Sequence, residues 1–113
     1  MGSSNFDSIP RFKNGCKVGS SGTTITGIFK GTCTVDLPSI LDGDVGEATV
    51  TVTGAAAGDI VVLIPPTAGL TAGLAVCGAQ VSAANTVKVR AMNGSGSTID
   101  ESSGTWYYIL IRS

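Results

Sequence analysis

The chain has 113 residues, of which seven are basic, eight are acidic and none is histidine. Folding of so short a chain buries roughly 65% of the surface that the unfolded form exposes, which is enough for one modest core but leaves no room for a second domain. Only 13% of the residues are charged, which argues against a nucleic-acid-binding protein, because such proteins neutralise phosphates with clustered lysine and arginine.

Residues 1–20 show neither helical nor strand periodicity. They mix Gly, Ser, Asn and Lys with three isolated apolar side chains, Phe6, Ile9 and Phe12. A purely solvated tail has little use for two phenylalanines, so we predict an extended N-terminal arm that anchors on a neighbouring protein. The alternative is a disordered tail that includes a cloning remnant at Gly2-Ser-Ser. No basic start precedes an apolar stretch, so no secretion signal is visible, and we expect synthesis in the cytosol.

From residue 21 to residue 113 the sequence predicts a single all-β module. Short runs rich in Val, Ile and Thr are separated by Gly, Pro, Asn and Asp, and helix signals are absent. So many strands in a short chain are typical of a sandwich or a barrel. We therefore predict a single jelly-roll-like antiparallel β-sandwich or barrel of about seven to eight short strands. The predicted strands cover 23–29, 32–37, 46–53, 59–64, 75–81, 86–92 and 105–112.

Two of these runs alternate clearly between apolar and polar residues, which predicts one core face and one wet face. The inward side chains are predicted to be Ala48, Val50 and Val52 in the third run, and Val87, Val89 and Ala91 in the sixth. Cys33 and Cys77 lie within strand-like runs and are predicted to be small core residues. All apolar runs are far shorter than the roughly 20 residues that cross a bilayer, so we expect no membrane span.

The last predicted strand, 105–112, is apolar on both faces, which predicts that both faces are covered. Trp106, Tyr107 and Tyr108 are the largest contact surfaces of the chain. In one interpretation they close the core of the sandwich. In the other, a tyrosine packs across a subunit boundary, where its hydroxyl finds a partner.

A search for chemistry gives no active site. Catalysis of proton transfer at neutral pH usually needs histidine, or a carboxylate or lysine with a shifted pKa, and histidine is missing. Asp42 and Asp44 flank a glycine as turn formers do, and we predict them, with Asn93 and Ser95, as exposed loop tips. The Asp-Gly-Asp spacing does not complete a twelve-residue calcium loop. We predict no catalytic residue, no cofactor and no metal ligand, and hence no enzyme.

Several blocks together resemble a small β module that is common in tailed-phage genomes. The resemblance covers residues 20 to 112. It is carried by Val50-Thr-Val-Thr-Gly-Ala-Ala-Ala-Gly-Asp-Ile-Val, Pro65-Pro, Gly73-Leu-Ala-Val, Val81-Ser-Ala-Ala-Asn-Thr-Val-Lys-Val-Arg, Thr98-Ile-Asp and Thr105-Trp. Such modules are similar to capsid decoration, or cement, proteins and to the C-terminal domains of head or tail fibres.

The resemblance implies a jelly-roll-like sandwich that forms a homotrimer and carries no catalytic residues. A fibre needs a long shaft, whereas only about twenty residues precede the module, so the expected location is the outer surface of the phage capsid. The expected partners are other copies of the chain and the major capsid protein, to which Phe6, Ile9 and Phe12 would bind, with no nucleic acid or membrane partner. The alternative is a tail or head fibre tip that binds a host receptor or surface glycan.

Overall fold

A computed structural model describes residues 14–112, and this part of the chain is all-β, as the sequence predicts. Two antiparallel sheets of three strands each have the strand orders β1-β6-β3 and β2-β5-β4. Within residues 14–112, no helix has the length and apolar character needed to cross a membrane. The strands are β1 (Gly27–Val35), β2 (Val45–Thr51), β3 (Ile60–Ile64), β4 (Leu74–Ala83), β5 (Thr86–Asn93) and β6 (Gly104–Arg112).

The described residues form six strands rather than the predicted seven to eight, because the first two predicted runs belong to one strand, β1. Gly31 lies in the middle of β1, where the sequence suggested a break. It pairs across the sheet with Tyr108, and a Cβ at Gly31 would lie 2.9 Å from the Tyr108 hydroxyl. The tyrosine ring therefore covers the glycine, and the strand continues past a residue that usually weakens one.

The core lies between the two sheets. In β2 and β5 the predicted inward side chains are buried and their neighbours face outward, so the alternation read from the sequence is confirmed. The two middle strands, β5 and β6, supply the most deeply buried positions, as expected for strands flanked on both sides. Strand β4 contributes only partly buried side chains, and the buried core side chains of the other five strands are Cys33, Val35, Ala48, Val50, Leu63, Val87, Val89, Ala91, Trp106 and Leu110.

The two strand cysteines differ in burial. Cys33 is buried, as predicted, and burial raises the pKa of its thiol. Cys77 is exposed, so its prediction as a core residue is wrong. The pairing of β4 with β5 shifts register between Val76 and Gly78, which makes Cys77 the extra residue of a β-bulge. A bulge interrupts the period-two alternation and turns the side chain to the other face.

The start of β1 lies at the same end of the sandwich as the end of β6. The Thr26 amide donates to the Arg112 carbonyl (2.7 Å), and Cys16 and Ile25 exchange backbone hydrogen bonds of 2.7 and 2.8 Å. Residues 14–20 of the predicted arm therefore lead directly into this backbone pairing. Phe6, Ile9 and Phe12, the predicted anchors of the arm, lie outside the described residues.

Candidate functional site

Strand β6 projects large apolar side chains to both sides of its sheet. Trp106 and Leu110 point into the core and are 2% and 0% exposed, whereas Tyr107 and Ile109 point outward and are 42% and 40% exposed. Tyr108 is half-buried and packs against the core. Of the three predicted contact residues, Trp106 and Tyr108 thus belong to the core side, and only Tyr107 points away from the core.

The two strands beside β6 extend the outward apolar surface on each side. In the sheet register, Ile111 lies between Ile28 and Ile60, and Ile109 lies between Lys30 and Val62. The next row places Tyr107 between Thr32 and Ile64. We call this surface the apolar outer face; its apolar members are Ile28, Ile60, Val62, Ile64, Tyr107, Ile109 and Ile111.

Lys30 is the single charged residue among the outward positions of this face. A shallow depression of about 390 Å³ lies beside it, lined mainly by Lys30, Thr32, Ile64, Tyr107 and Ile109. Because β1 is an edge strand of the sheet, a lysine there can extend its ammonium past the edge while its methylenes stay on the apolar surface. The face can therefore be covered by another protein without enclosing this charge.

The outer surface of the other sheet has the opposite chemistry. Glu47 of β2 accepts a 2.8 Å hydrogen bond from Arg90 of β5 and lies 3.9 Å from the ammonium of Lys88. The hydrogen bond from Arg90 is the main cause that lowers the pKa of Glu47. Beside these side chains a hollow of about 220 Å³ opens over the bulge at Gly78, lined also by Gln80. Only one of the two sheets presents an apolar exterior.

The predicted loop tips lie at one end of the sandwich, and one of them is wrong. Asp42, Asp44 and Ser95 are exposed, but Asn93 is fully buried. The Asn93 amide nitrogen donates to the carbonyls of Ile40 (2.8 Å) and Ser97 (2.7 Å), and its side-chain oxygen accepts from the Ser95 amide (2.9 Å). Asn93 therefore joins the two loops instead of forming a tip.

The same end of the sandwich is strongly acidic. It consists of the loops 36–44, 65–73 and 94–103, which contain five carboxylates and no lysine or arginine. We call it the acidic loop end; its carboxylates are Asp36, Asp42, Asp44, Asp100 and Glu101. Asp42 accepts a 3.0 Å hydrogen bond from the Gly96 amide, so it also holds the two loops together. Within residues 14–112, no cluster of three or more residues fits a metal ion.

The opposite end is held by an ion pair between Arg112 and Asp59. The Arg112 guanidinium donates to both carboxylate oxygens at 2.9 and 2.7 Å and to the Gly54 carbonyl at 2.7 Å. It also lies 4.9 Å from the centre of the Phe29 ring. The hydrogen bond from Arg112, assisted by one from the Ala56 amide, lowers the pKa of Asp59 to about 2. The bidentate geometry ties the loop between β2 and β3 to the end of β6.

This ion pair gives a testable pH dependence. The pKa of Asp59 is lower in the folded chain than in the unfolded chain. The contribution of the ion pair to the free energy of unfolding is therefore complete above pH 4 and is lost as the pH falls towards 2. We expect Asp59→Asn to be less stable than the parent chain at pH 7, with the difference shrinking between pH 4 and pH 2. Urea denaturation of both proteins across this range measures it, and a difference that stays constant with pH would contradict the assignment.

The chain was compared with protein families, curated proteins and solved structures. No family model, no curated protein and no solved structure matches it.

Sequence reasoning missed two features of the candidate site. The apolar outer face needs three strands side by side, and β1 and β3 are far from β6 along the chain, so their alignment was not visible. The burial of Asn93 did have a signal. The inward positions Val87, Val89 and Ala91 continue by two residues to position 93, which places Asn93 on the core face of β5.

Proposed function

We propose that this chain is a structural protein of a tailed-phage virion, a capsid decoration or cement protein. In this proposal it binds the outside of the head as a homotrimer, has no catalytic activity, and its sandwich is a jelly-roll-like module. The observation that supports it best is the apolar outer face, since a protein that works alone rarely exposes so large an apolar surface. The assignment to a phage head rests on the resemblance of residues 20–112 to phage β modules.

The proposed mechanism is mechanical. A trimer seated where several shell subunits meet adds contacts between neighbours, so removing any one subunit under internal DNA pressure requires breaking more interfaces. Binding to the assembled shell, and not to its free subunits, stabilises the shell by mass action. Many weak contacts repeated by symmetry give a large total effect.

In this proposal the arm makes the contact with the shell. Phe6, Ile9 and Phe12 would insert apolar side chains between major capsid subunits. The described chain enters the sandwich beside the end of β6, which is the end opposite to the acidic loop end. A trimer held by its arms would then direct Asp42, Asp44 and Ser95 away from the shell.

The copy number of the chain in purified virions, relative to the major shell protein, tests this function. Quantitative mass spectrometry should give on the order of hundreds of copies, as repeated seating on a symmetric shell requires. With the same particles, Phe6→Ala combined with Phe12→Ala should reduce sedimentation of the chain with heads without changing its circular dichroism spectrum. A handful of copies would reject decoration, and unchanged sedimentation would reject the arm as the anchor.

A second function, attachment to a host receptor or surface glycan as a fibre tip, is favoured by the polar hollow over Gly78. Gln80 and Arg90 line the hollow and supply planar polar groups of the kind that hydrogen-bond sugar hydroxyls. The residues that line it include no aromatic side chain on which a sugar ring could stack. Glycan-array binding that is lost in Gln80→Ala, together with a low copy number, would make this function the better one.

A further inference from the structure

The apolar outer face has the size and composition of a subunit interface. Six of its side chains are 40–67% exposed, which corresponds to on the order of 600 Å² of surface, the upper end of what a monomer exposes in one patch. Ile111, Thr32 and the methylenes of Lys30 enlarge it towards the roughly 800 Å² that each partner buries in a standard interface. A tyrosine on the middle strand and almost no charge are typical of the centre of such an interface.

The face also differs from the rest of the same molecule. The outer surface of the sheet β2-β5-β4 carries the charged group Glu47, Lys88 and Arg90 on its middle rows. Met92 is 45% exposed on the outward side of β5, but its cross-strand neighbours are Val45 and Ala75 at the end of the sheet. Val45 is itself 56% exposed, so Met92 belongs to one short apolar row, whereas the apolar outer face extends over three rows. The extended apolar surface is therefore specific to the sheet that contains β6.

We propose that the apolar outer face is the surface through which copies of this chain bind one another, with Tyr107 and Ile109 of each copy at the centre of the contact. We assign a second copy as the partner because the exposed area of the face approaches the area that each subunit buries in a standard interface. One row of the face is also apolar across all three strands, from Ile28 through Ile111 to Ile60. The threefold symmetry of this contact rests on the proposed function, in which the chain is a homotrimer.

The symmetry has an electrostatic consequence. If three copies turn this face towards an axis that runs along β6, every copy has the same direction along the axis. The acidic loop ends then lie at one pole, and their carboxylates repel one another. Ions screen such repulsion, with a Debye length of about 30 Å at 0.01 M and 10 Å at 0.1 M ionic strength. Salt should therefore strengthen this assembly.

The decisive experiment uses matched lysine substitutions on the two outer faces. Ile109→Lys and Val62→Lys place a charge on the apolar outer face, whereas Met92→Lys places one at a similarly exposed position on the other sheet. Sedimentation equilibrium should give the mass of three 11.3 kDa chains for the parent and for Met92→Lys. The two variants on the face should dissociate, with a dissociation constant raised by at least about thirtyfold, as for the loss of an interface hot spot.

Each other outcome overturns the inference in a recognisable way. Dissociation of Met92→Lys to the same extent, or assembly of Ile109→Lys as tight as the parent's, would show that the face is not the contact. A dimer that salt weakens would reject the common pole, because opposed copies bring the acidic loop end towards Lys17.

The oligomeric state and the copy number test the self-contact and the decoration function separately. A parent chain that stays monomeric overturns the self-contact, but hundreds of copies in the virion would still support decoration. Conversely, a trimer dissociated by Ile109→Lys together with a handful of copies would support the contact and move the protein to a tail or a fibre. Circular dichroism of all variants shows whether each is folded, which the outward position of all three substituted residues favours.

Discussion

Replacing Trp106 by Ala is expected to lower the free energy of unfolding by about 3–5 kcal/mol, as for other buried tryptophans. Trp106 lies on the inner side of β6, the middle strand of its sheet, and is 2% exposed. It is the largest fully buried side chain and pairs across the sheet with Cys33, another core residue. Its removal leaves a cavity in a core made mostly of Val and Ala, which are too small to fill it.

A loss of this size is a large share of the 5–15 kcal/mol that stabilises a typical domain. Urea denaturation followed by far-ultraviolet circular dichroism measures it, since the chain has one tryptophan and the variant loses that fluorescence. Parent and variant must be compared at one protomer concentration, because self-association contributes to apparent stability. Thr105→Ala, an exposed neighbour on the same strand, is the control and should cost less than about 1 kcal/mol. Equal losses for the two variants would contradict the placement of Trp106.

The alternation of apolar and polar residues was sufficient to predict most of the strands and their inward faces. It worked for β2 and β5, where one face is buried and the other is polar. It failed at Gly31, because a strand can continue through glycine when a cross-strand ring covers it, and that ring belongs to Tyr108, distant in sequence. It failed at Cys77, because a bulge shifts the alternation by one residue.

The last strand gives the most informative difference between sequence and structure. Its apolar character on both sides predicted that both faces are covered. The described chain covers only the side of Trp106 and Leu110 and leaves Tyr107 and Ile109 exposed. The outward side of β6 is the surface that we propose a second copy covers. The identity of the partner is not contained in the alternation, and for this reason it is proposed from area and charge.

Replacing Asn93 by Ala is expected to cost about 2–4 kcal/mol, because it removes three side-chain hydrogen bonds at a fully buried position. The Ser95 amide would lose its acceptor, whereas the Ile40 carbonyl still accepts from the Ile99 amide (3.0 Å) and the Ser97 carbonyl from the Ser95 hydroxyl (2.9 Å). The expected cost is therefore that of three lost hydrogen bonds. The main chain of Asn93 also pairs with Gly43 and Asp44, so the loop 36–44 keeps part of its support. Amide hydrogen exchange should therefore accelerate at Ser95 and Gly96 more than in β5.

The substitution Asn93→Asp keeps nearly the same side-chain shape, so it tests the hydrogen bonds of Asn93 separately from its packing. In the parent chain the amide nitrogen donates to two carbonyl oxygens, whereas a carboxylate would place a negative oxygen against both. Burial and this repulsion favour the protonated form, so the pKa of the new carboxyl is raised above its unfolded value. A group whose pKa is raised by folding contributes most to the free energy of unfolding when the pH is below its pKa in the unfolded chain. That contribution is lost as the pH rises through its pKa in the folded chain.

The unfolding free energy of Asn93→Asp should therefore lie further below that of the parent at pH 7 than at pH 4. The difference between Asn93→Ala and the parent should stay nearly constant over the same range, because alanine does not titrate. Measurements above pH 4 avoid the range in which protonation of Asp59 weakens both proteins. A pH-independent loss in Asn93→Asp would mean that the side chain reaches water, and the joining of the two acidic loops through Asn93 would then have to be abandoned.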